Sequence, residues 1–447
     1  MTDTDSTDTE LPKDTIYALS SGSNKAPIAL VRISGPQAIE SFRLLTWKTS
    51  FEARRASMLT LTDPYTGKML DCRALIMVYP GPGSFTMEDT VEYNVHGGRA
   101  VIDGMLETLS KIPGCRPAEP GEFTKRAFYN GRLDLTEAEA IADIIDAETE
   151  VQKLQAIEQA HGTLMRLYHE WADQLAAILA YQEAEIEFPE DDLPGGLTHK
   201  QKPQVEELLE TIRRHLDDNR RGERLRSGIR IAIIGAPNAG KSSLMNALAR
   251  RDVAIVSEEA GTTRDVIEVH LDLGGYPVIL ADTAGLRETG NKIEQEGIRR
   301  AEKAAQESDI TLALFDGTLP EKDAETQKLA SEKTLIVHTK SDLVKHKGAG
   351  LYVSSTTGDG IDILLKNLTA KVSQAFKFKP GPVLTRERHR VALKDAATAL
   401  ERCLGTLQPE LAAEDLRLAL RSLGSITGRV HVEEILDKIF LTFCIGK

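Results

Sequence analysis

Eight consecutive residues carry the plainest chemistry in this chain. Gly235-Ala236-Pro237-Asn238-Ala239-Gly240-Lys241-Ser242 fit G-x-x-x-x-G-K-[ST]. They follow a strand-like run, IRIAIIG, and precede a helical one, SSLMNALAR, which is the context this motif requires. Glycines let backbone N–H groups turn inward around phosphate oxygens, and the helix N-terminus adds a favourable dipole. Lys241 is placed to reach β- and γ-phosphates, and Ser242 to ligate Mg²⁺. Further along, Asp282 of DTAG can hold Mg²⁺ through water, and the Gly285 N–H can meet a γ-phosphate. Thr263, in GTTRD (261–265), is the candidate for a second Mg²⁺ hydroxyl. Asp342 of TKSD (339–342) can accept from both N1–H and N2–H₂ of guanine, a pairing adenine cannot offer. Backbone N–H groups of Ser354, Ser355 and Thr356 are then available to guanine O6.

These pieces need a scaffold that brings loop ends together. From Gly228 to about Ala375 the pattern alternates strand and helix, which argues a mostly parallel sheet. Strands are expected at 229–234, 268–273, 277–282, 310–315, 334–338 and 351–353. Helical texture brackets this block. A long Ala/Glu-rich stretch runs from 135 to 188, with a capping box read at Thr136 and Glu139, and a second helix spans roughly 199–226. After FKPGP the chain turns helical again over 384–405, 410–424 and 431–443. Before all of this, strand patterns at APIALVRISG, DCRALIMVYPGPGSF and TVEYNVHGG, with a helix in RAVIDGMLETLSKI, give an α+β texture. The expected fold is multidomain α/β: a tail at 1–13, an N-terminal α+β domain at 14–118, and a helical domain in two parts, 119–227 and 376–447. A Ras-like P-loop GTPase domain at 228–375 is inserted between those parts.

Bulk properties limit the function classes. The 447 residues are 41% apolar and 28% charged, ordinary for globular domains, and the net charge is −13. No global basic field attracts nucleic acid, so RNA contact needs a local patch or a partner. Cys72, Cys115, Cys403 and Cys444 form no C-x-x-C pair, so a reducing, cytoplasmic setting is expected. No run of about 18 apolar residues occurs, so no membrane span is expected.

In this order the four nucleotide pieces resemble translation-factor-type GTPases. Two departures stand out. Thr339 replaces the Asn of N-K-x-D, so looser packing against the phosphate loop is expected, with guanine choice kept by Asp342. Leu286 occupies the position where small signalling GTPases use Gln to orient water, leaving Arg287, Glu288, Glu294 and Glu296 as candidates nearby.

The resemblance extends further. GAPNAGKSSLMNAL, AIVSEEAGTTRDVIE, DTAGLRET, IEQEGIRR and the terminal CIGK, with LVRISGP, SFTMEDTVEYNVHGG and RPAEPGEFTKRAFYNGRLDLTEAEAIADII, resemble the MnmE (TrmE) family of tRNA-modification GTPases. The guanine-nucleotide site would then span Asn238, Ala239, Gly240, Lys241, Ser242 and Ser243; Ser257, Glu258, Glu259, Ala260, Gly261, Thr262 and Thr263; Asp282, Thr283, Ala284 and Gly285; Thr339, Lys340 and Asp342; and Ser354, Ser355 and Thr356. The resemblance also implies K⁺ held by Asn238, by carbonyls of Ser257 and Glu259, and by Thr262, with Glu294 orienting the attacking water. It implies a homodimer whose N-terminal domain binds a reduced folate (5-formyl- or methylene-tetrahydrofolate) through Arg32, Glu92 and Arg132, where the family usually has Lys at the last position. Cys444, as a catalytic thiol, and Lys447 would face that pocket, with Gly446 supplying the bend. The implied partner is the FAD-containing flavoprotein MnmG/GidA in a heterotetramer, and the implied substrates are GTP and tRNA. Two alternatives stand: a ribosome-assembly switch GTPase of the Era/EngA type, and a folate enzyme with a regulatory GTPase.

Overall fold

Alternation dictates the first sheet. Along β2 (Ile28–Ser34) Ala29, Val31 and Ile33 fall on one face and Leu30, Arg32 and Ser34 on the other. The computed structural model describes residues 14–22, 26–187, 201–255, 268–282, 299, 302–344, 348–430 and 433–446. They fall into two units, 1–142 with 424–447, and 143–423.

In the first unit, β1 (Thr15–Leu19), β2, β3 (Ser57–Thr62), β4 (Met69–Tyr79), β5 (Thr90–His96) and β6 (Cys115–Pro117) form one sheet in the order β3-β4-β5-β2-β1-β6. All pairings are antiparallel except β1 with β6. Helices α1 (Ala38–Thr46) and α2 (Arg99–Ser110) place Phe42, Leu45, Met105 and Leu109 among Val31, Ile33, Ile76 and Tyr93 on one face. Helix α3 (Glu122–Tyr129) packs Phe123 against Ile16 and Ala18 on β1. The end of the chain joins this unit, with Leu436, Phe440 and Phe443 packing on Phe128, Leu135 and Ala138.

The second unit holds the other sheet: β7 (Ile229–Gly235), β8 (Glu268–Leu273), β9 (Tyr276–Asp282), β10 (Ile310–Asp316), β11 (Thr334–Thr339) and β12 (Leu351–Tyr352), ordered β12-β11-β10-β7-β9-β8. Only the β8–β9 hairpin is antiparallel. Central β7 is apolar on both faces, as a doubly covered parallel strand must be. Ile231 and Ile233 face one cluster, and Ile234 faces another with Ala313 and Phe315.

The helical stretches differ from expectation in three places. The run expected from 135 to 188 is three helices, α4 (Leu135–Asp146), α5 (Glu150–Ala160) and α6 (Thr163–Glu187). The box for α4 is Asp134 with Glu137, rather than Thr136 with Glu139. Asp134 Oδ1 accepts from the Glu137 N–H at 2.7 Å, and Glu137 Oε2 accepts from the Asp134 N–H at 2.9 Å. The helix expected over 199–226 is α7 (Lys202–Leu216) and α8 (Arg221–Ser227), parted where Asn219 and Arg220 take left-handed φ of 53° and 52°. Helix α7 packs against the helix Glu387–Gly405. Among the described residues, no helix is long and apolar enough to cross a membrane.

Candidate functional site

The phosphate loop grows out of β7. Gly235 ends that strand where a Cβ would lie 2.7 Å from the Leu314 carbonyl oxygen, so only glycine lets β7 run this close to β10. Asn238 (φ 64°) and Gly240 (φ 91°) turn the chain back into α9 (Lys241–Ala249). Asn tolerates that left-handed conformation better than most residues. Lys241 Nζ donates to the carbonyls of Gly235 at 2.8 Å and Ala236 at 3.0 Å, so its ammonium lies inside the loop. Asn238, Ser242 and Ser243 are exposed, as a ligand cradle needs. The Asn238 carboxamide has no protein partner among the described residues. Ser242, in the first turn of α9, offers a hydroxyl beside the helix N-terminus.

Thr339 corrects one expectation. It is 2% exposed, and its hydroxyl donates to the Ala239 carbonyl at 2.8 Å, with the Phe315 carbonyl at 3.2 Å. The expected looser packing is absent, because a β-branched hydroxyl reaches the loop as a longer amide would. Next to it, Lys340 (φ 57°) is bound to Asp316 at 2.5 Å. Burial pushes Asp316 up, but hydrogen bonds from Lys340 and Thr318 outweigh it and hold the carboxyl below the ordinary range. Asp342 is exposed, one residue beyond Ser341, whose N–H is tied to the Val353 carbonyl at 3.1 Å. Ser354 is buried, and its Oγ accepts from the N–H groups of Thr356 at 3.3 Å and Thr357 at 3.2 Å. Of the three residues expected to offer N–H groups there, Thr356 is therefore engaged, and so is Ser354, whose N–H donates to the Asp359 carbonyl at 2.9 Å. The Ser355 N–H has no protein acceptor among the described residues.

Ser257, Glu258, Glu259, Ala260, Gly261, Thr262, Thr263, Thr283, Ala284, Gly285, Glu294 and Lys447 lie outside the described residues, as does the Asp282 side chain.

A second constellation sits in the N-terminal sheet. Arg32 and Glu92 are register partners on β2 and β5. Arg32 Nε and Nη2 donate to Glu92 Oε1 at 3.0 and 2.9 Å. The guanidinium lies 5.6 Å from the Phe123 ring centre, within cation–π range. Tyr79 on β4 is pushed up by burial and by Glu92. Arg132 stands on the exposed loop after α3, and its side chain pairs with neither Arg32 nor Glu92. Phe123 and Tyr79 were not singled out from sequence, since an isolated aromatic in an apolar pattern reads as core.

Five charged groups lock α3 in place. Arg126, with a side chain 2% exposed, donates to Asp14 at 2.7 Å, Glu122 at 3.1 Å and Glu88 at 3.2 Å. Arg116 bridges Asp14 and Glu122. Burial raises both Asp14 and Glu122, yet the arginines hold them below the ordinary carboxylate range. The cluster fixes α3, and with it the Phe123 ring beneath Arg32.

The end of the chain lies against the same helix. Pro120 bridges Ile445, and the Gly121 N–H meets the Cys444 carbonyl at 3.4 Å. Gly446 has φ 98°, and a Cβ on it would lie 2.3 Å from the Leu19 carbonyl oxygen. Cys444 itself is exposed.

The family model described as GTP-binding protein TrmE N-terminus matches residues 15–132, and that of the MnmE helical domain matches 135–444. The tRNA modification GTPase MnmE of Parvibaculum lavamentivorans is 51% identical over 439 residues, covering 97% of this chain and 100% of the relative. The protein of the same name from Rhodospirillum rubrum is 48% identical, covering 97% of this chain and 99% of the relative. The mitochondrial 5-taurinomethyluridine-[tRNA] synthase subunit GTPB3 of Danio rerio is 45% identical, covering 97% and 93%.

Proposed function

This chain belongs to the MnmE family of tRNA modification GTPases, and from that membership we propose that it couples GTP hydrolysis to modification of C5 of the wobble uridine of certain tRNAs, giving an aminomethyl or carboxymethylaminomethyl form. It acts in the cytoplasm as a homodimer, with the FAD-containing flavoprotein MnmG/GidA completing a heterotetramer. The 228–375 block is the GTPase domain, inserted between helical parts at 119–227 and 376–447, and the 14–118 domain takes the reduced folate that donates the carbon. Packing of α7 on the helix Glu387–Gly405, from either side of the second sheet in sequence, supports the insertion.

The observation that carries the nucleotide reading is the formed phosphate loop, with Lys241 inside it and Thr339 bracing it. Backbone N–H groups of 238–243 surround the phosphates, and Lys241 leaves its two carbonyls to meet phosphate oxygens. Asp342 reads the Watson–Crick edge of guanine, and Ser354, Ser355 and Thr356 line the O6 side. Ser242 and Thr263 hold Mg²⁺. Asn238, Thr262 and the carbonyls of Ser257 and Glu259 hold K⁺, which supplies positive charge beside the β–γ bridge when bound. Glu294 orients the attacking water in place of the missing Gln. In the N-terminal domain Arg32, Glu92 and Arg132 hold the folate, and the tail brings Cys444 and Lys447 to it. Docking of Ile445 on Pro120, just ahead of the helix that carries Phe123 under Arg32, and of Gly446 against Leu19 of β1 supports that placement.

Likeness along 97% of the chain to MnmE proteins argues against the Era/EngA-type switch. Reconstitution tests the reading. Purified chain, flavoprotein partner, GTP, K⁺, a reduced folate and unmodified tRNA should yield C5-modified wobble uridine. Omission of GTP or folate should abolish the product. Full product without GTP would overturn the proposal.

A further inference from the structure

Helix α5 carries Gln152, Gln155 and Gln159 at i, i+3 and i+7, so all three share one face. Each amide donates to a different neighbour. Gln152 Nε2 meets the Arg226 carbonyl at 3.0 Å, Gln155 Nε2 the Gly222 carbonyl at 2.9 Å, and Gln159 Nε2 the Thr385 hydroxyl at 2.8 Å. Gly222 and Arg226 belong to α8, the last helix before β7. Thr385 stands just ahead of the helix Glu387–Gly405, which follows the sheet. Asp143 joins the same two segments, since its Oδ1 accepts from Arg226 Nε at 2.7 Å and from Arg386 Nη2 at 2.8 Å. Gly222 permits their close approach, because a Cβ there would lie 2.2 Å from the Leu384 carbonyl oxygen. One helix face thus grips both the way into the sheet and the way out of it.

The first turn of α5 touches the sheet itself. The Val151 N–H donates to the Gly275 carbonyl at 3.0 Å, in the β8–β9 turn, and the Val151 side chain is buried in the sheet's apolar cluster. Just before α5, Glu148 faces His270 of β8 at 3.5 Å. In sequence β8 follows GTTRD and β9 runs into DTAG, so this hairpin joins two of the motifs assigned to nucleotide.

The glutamine face is not close-packed. Beside it lies a cavity of about 150 Å³ lined by Asp143, Asp146, Gln152, Gln155, Gln159 and Arg226. Gln155 is 4% exposed, and its Oε1 has no protein donor among the described residues. A polar cavity of that size holds several waters. Amides that border a polar cavity have water as an alternative partner of similar energy, whereas an interdigitated apolar seam resists displacement.

We propose that α5 couples the nucleotide site to the helical part of this chain: the β8–β9 hairpin moves its first turn, and the glutamine ladder passes that shift across the hydrated cavity to both chain crossings. The inference rests on the GTP reading above, and it names two sites and the element between them, as a coupling claim requires.

Amide hydrogen exchange on the full chain tests it, comparing GDP with GDP plus aluminium fluoride. Residues 150–160 and 383–390 should differ in exchange between the two states. In Gln155→Met/Gln159→Met, which keeps side-chain length and removes the amides, the difference should persist at 268–282 and vanish at 383–390. If the double variant is unfolded by circular dichroism, Gln155→Leu alone is used, with the same expected pattern. A fluorescent guanine-nucleotide titration on the same samples separates the failures. No binding would remove the GTP reading and this inference with it. Tight binding with exchange at 150–160 indifferent to nucleotide, or an unaltered difference at 383–390 in the folded variant, would overturn the inference alone.

Discussion

Replacing Thr339 by Val removes one hydroxyl donor from the phosphate loop and little else. Both side chains are β-branched and similar in volume, so the packing between β10 and β11 survives. What is lost is the bond to the Ala239 carbonyl at 2.8 Å, between residues that are each 2% exposed. The carbonyl oxygen is then buried without a donor, which costs about 1–3 kcal/mol. At about 1.4 kcal/mol per factor of ten, GTP affinity should fall roughly 5- to 150-fold if the cost is borne by the loop conformation that accepts phosphate. Thr339→Ser restores the hydroxyl and should recover most of the affinity. The assay is a fluorescent GTP-analogue titration in Mg²⁺, with thermal melts on the same samples. Wild-type affinity together with wild-type Tm in Thr339→Val would refute the reasoning, because the brace would then contribute nothing.

Three further outcomes are expected. GTP hydrolysis should be much faster in K⁺ than in Na⁺, and Asn238→Ala should remove that difference while leaving nucleotide affinity largely intact; equal wild-type rates in both salts would remove the K⁺ assignment. Gly446→Ala places a Cβ 2.3 Å from the Leu19 carbonyl oxygen at φ 98°, so the tail should lift from β1; tRNA modification should be lost with GTP hydrolysis kept, and unchanged modification would show that the tail's seat is not needed. Burial raises Asp134 from 3.8 to about 6, outweighing its cap hydrogen bonds, so the fold favours the protonated acid and is progressively penalised as pH rises between those two values. Asp134→Asn keeps the cap and should be more stable than wild type by about 2–3 kcal/mol at neutral pH, with the difference gone near pH 4, as paired denaturant titrations would show.

The second sheet was legible because buried parallel strands read as apolar runs closed by turns. The strand 268–273 is found where expected, and 229–234, 277–282, 310–315, 334–338 and 351–353 shift by about one residue at an end. Helix breaks were harder to read. Strong propensity across the Ala/Glu-rich stretch hid the stop at Gly162 (φ 72°) and the box of Thr149 with Gln152, while the left-handed pair Asn219-Arg220 has no glycine to announce it. The phosphate loop was legible because its chemistry is carried by contiguous backbone. Arg32 and Glu92 lie sixty residues apart and meet only through strand register, so only a family resemblance pointed to them. Arg126 and its carboxylates were invisible for the same reason, since nothing local distinguishes a buried ion cluster from a solvated helix face.

The central claim is that this chain modifies wobble uridines at the expense of GTP. Mass analysis of tRNA nucleosides from a strain lacking it, complemented with wild type or with Asp342→Asn, tests that most directly. The account predicts loss of the C5-modified wobble nucleoside in the deletion, full recovery with wild type, and little recovery with Asp342→Asn when GTP is the only guanine-like nucleotide present. Unchanged wobble nucleosides in the deletion strain would contradict it.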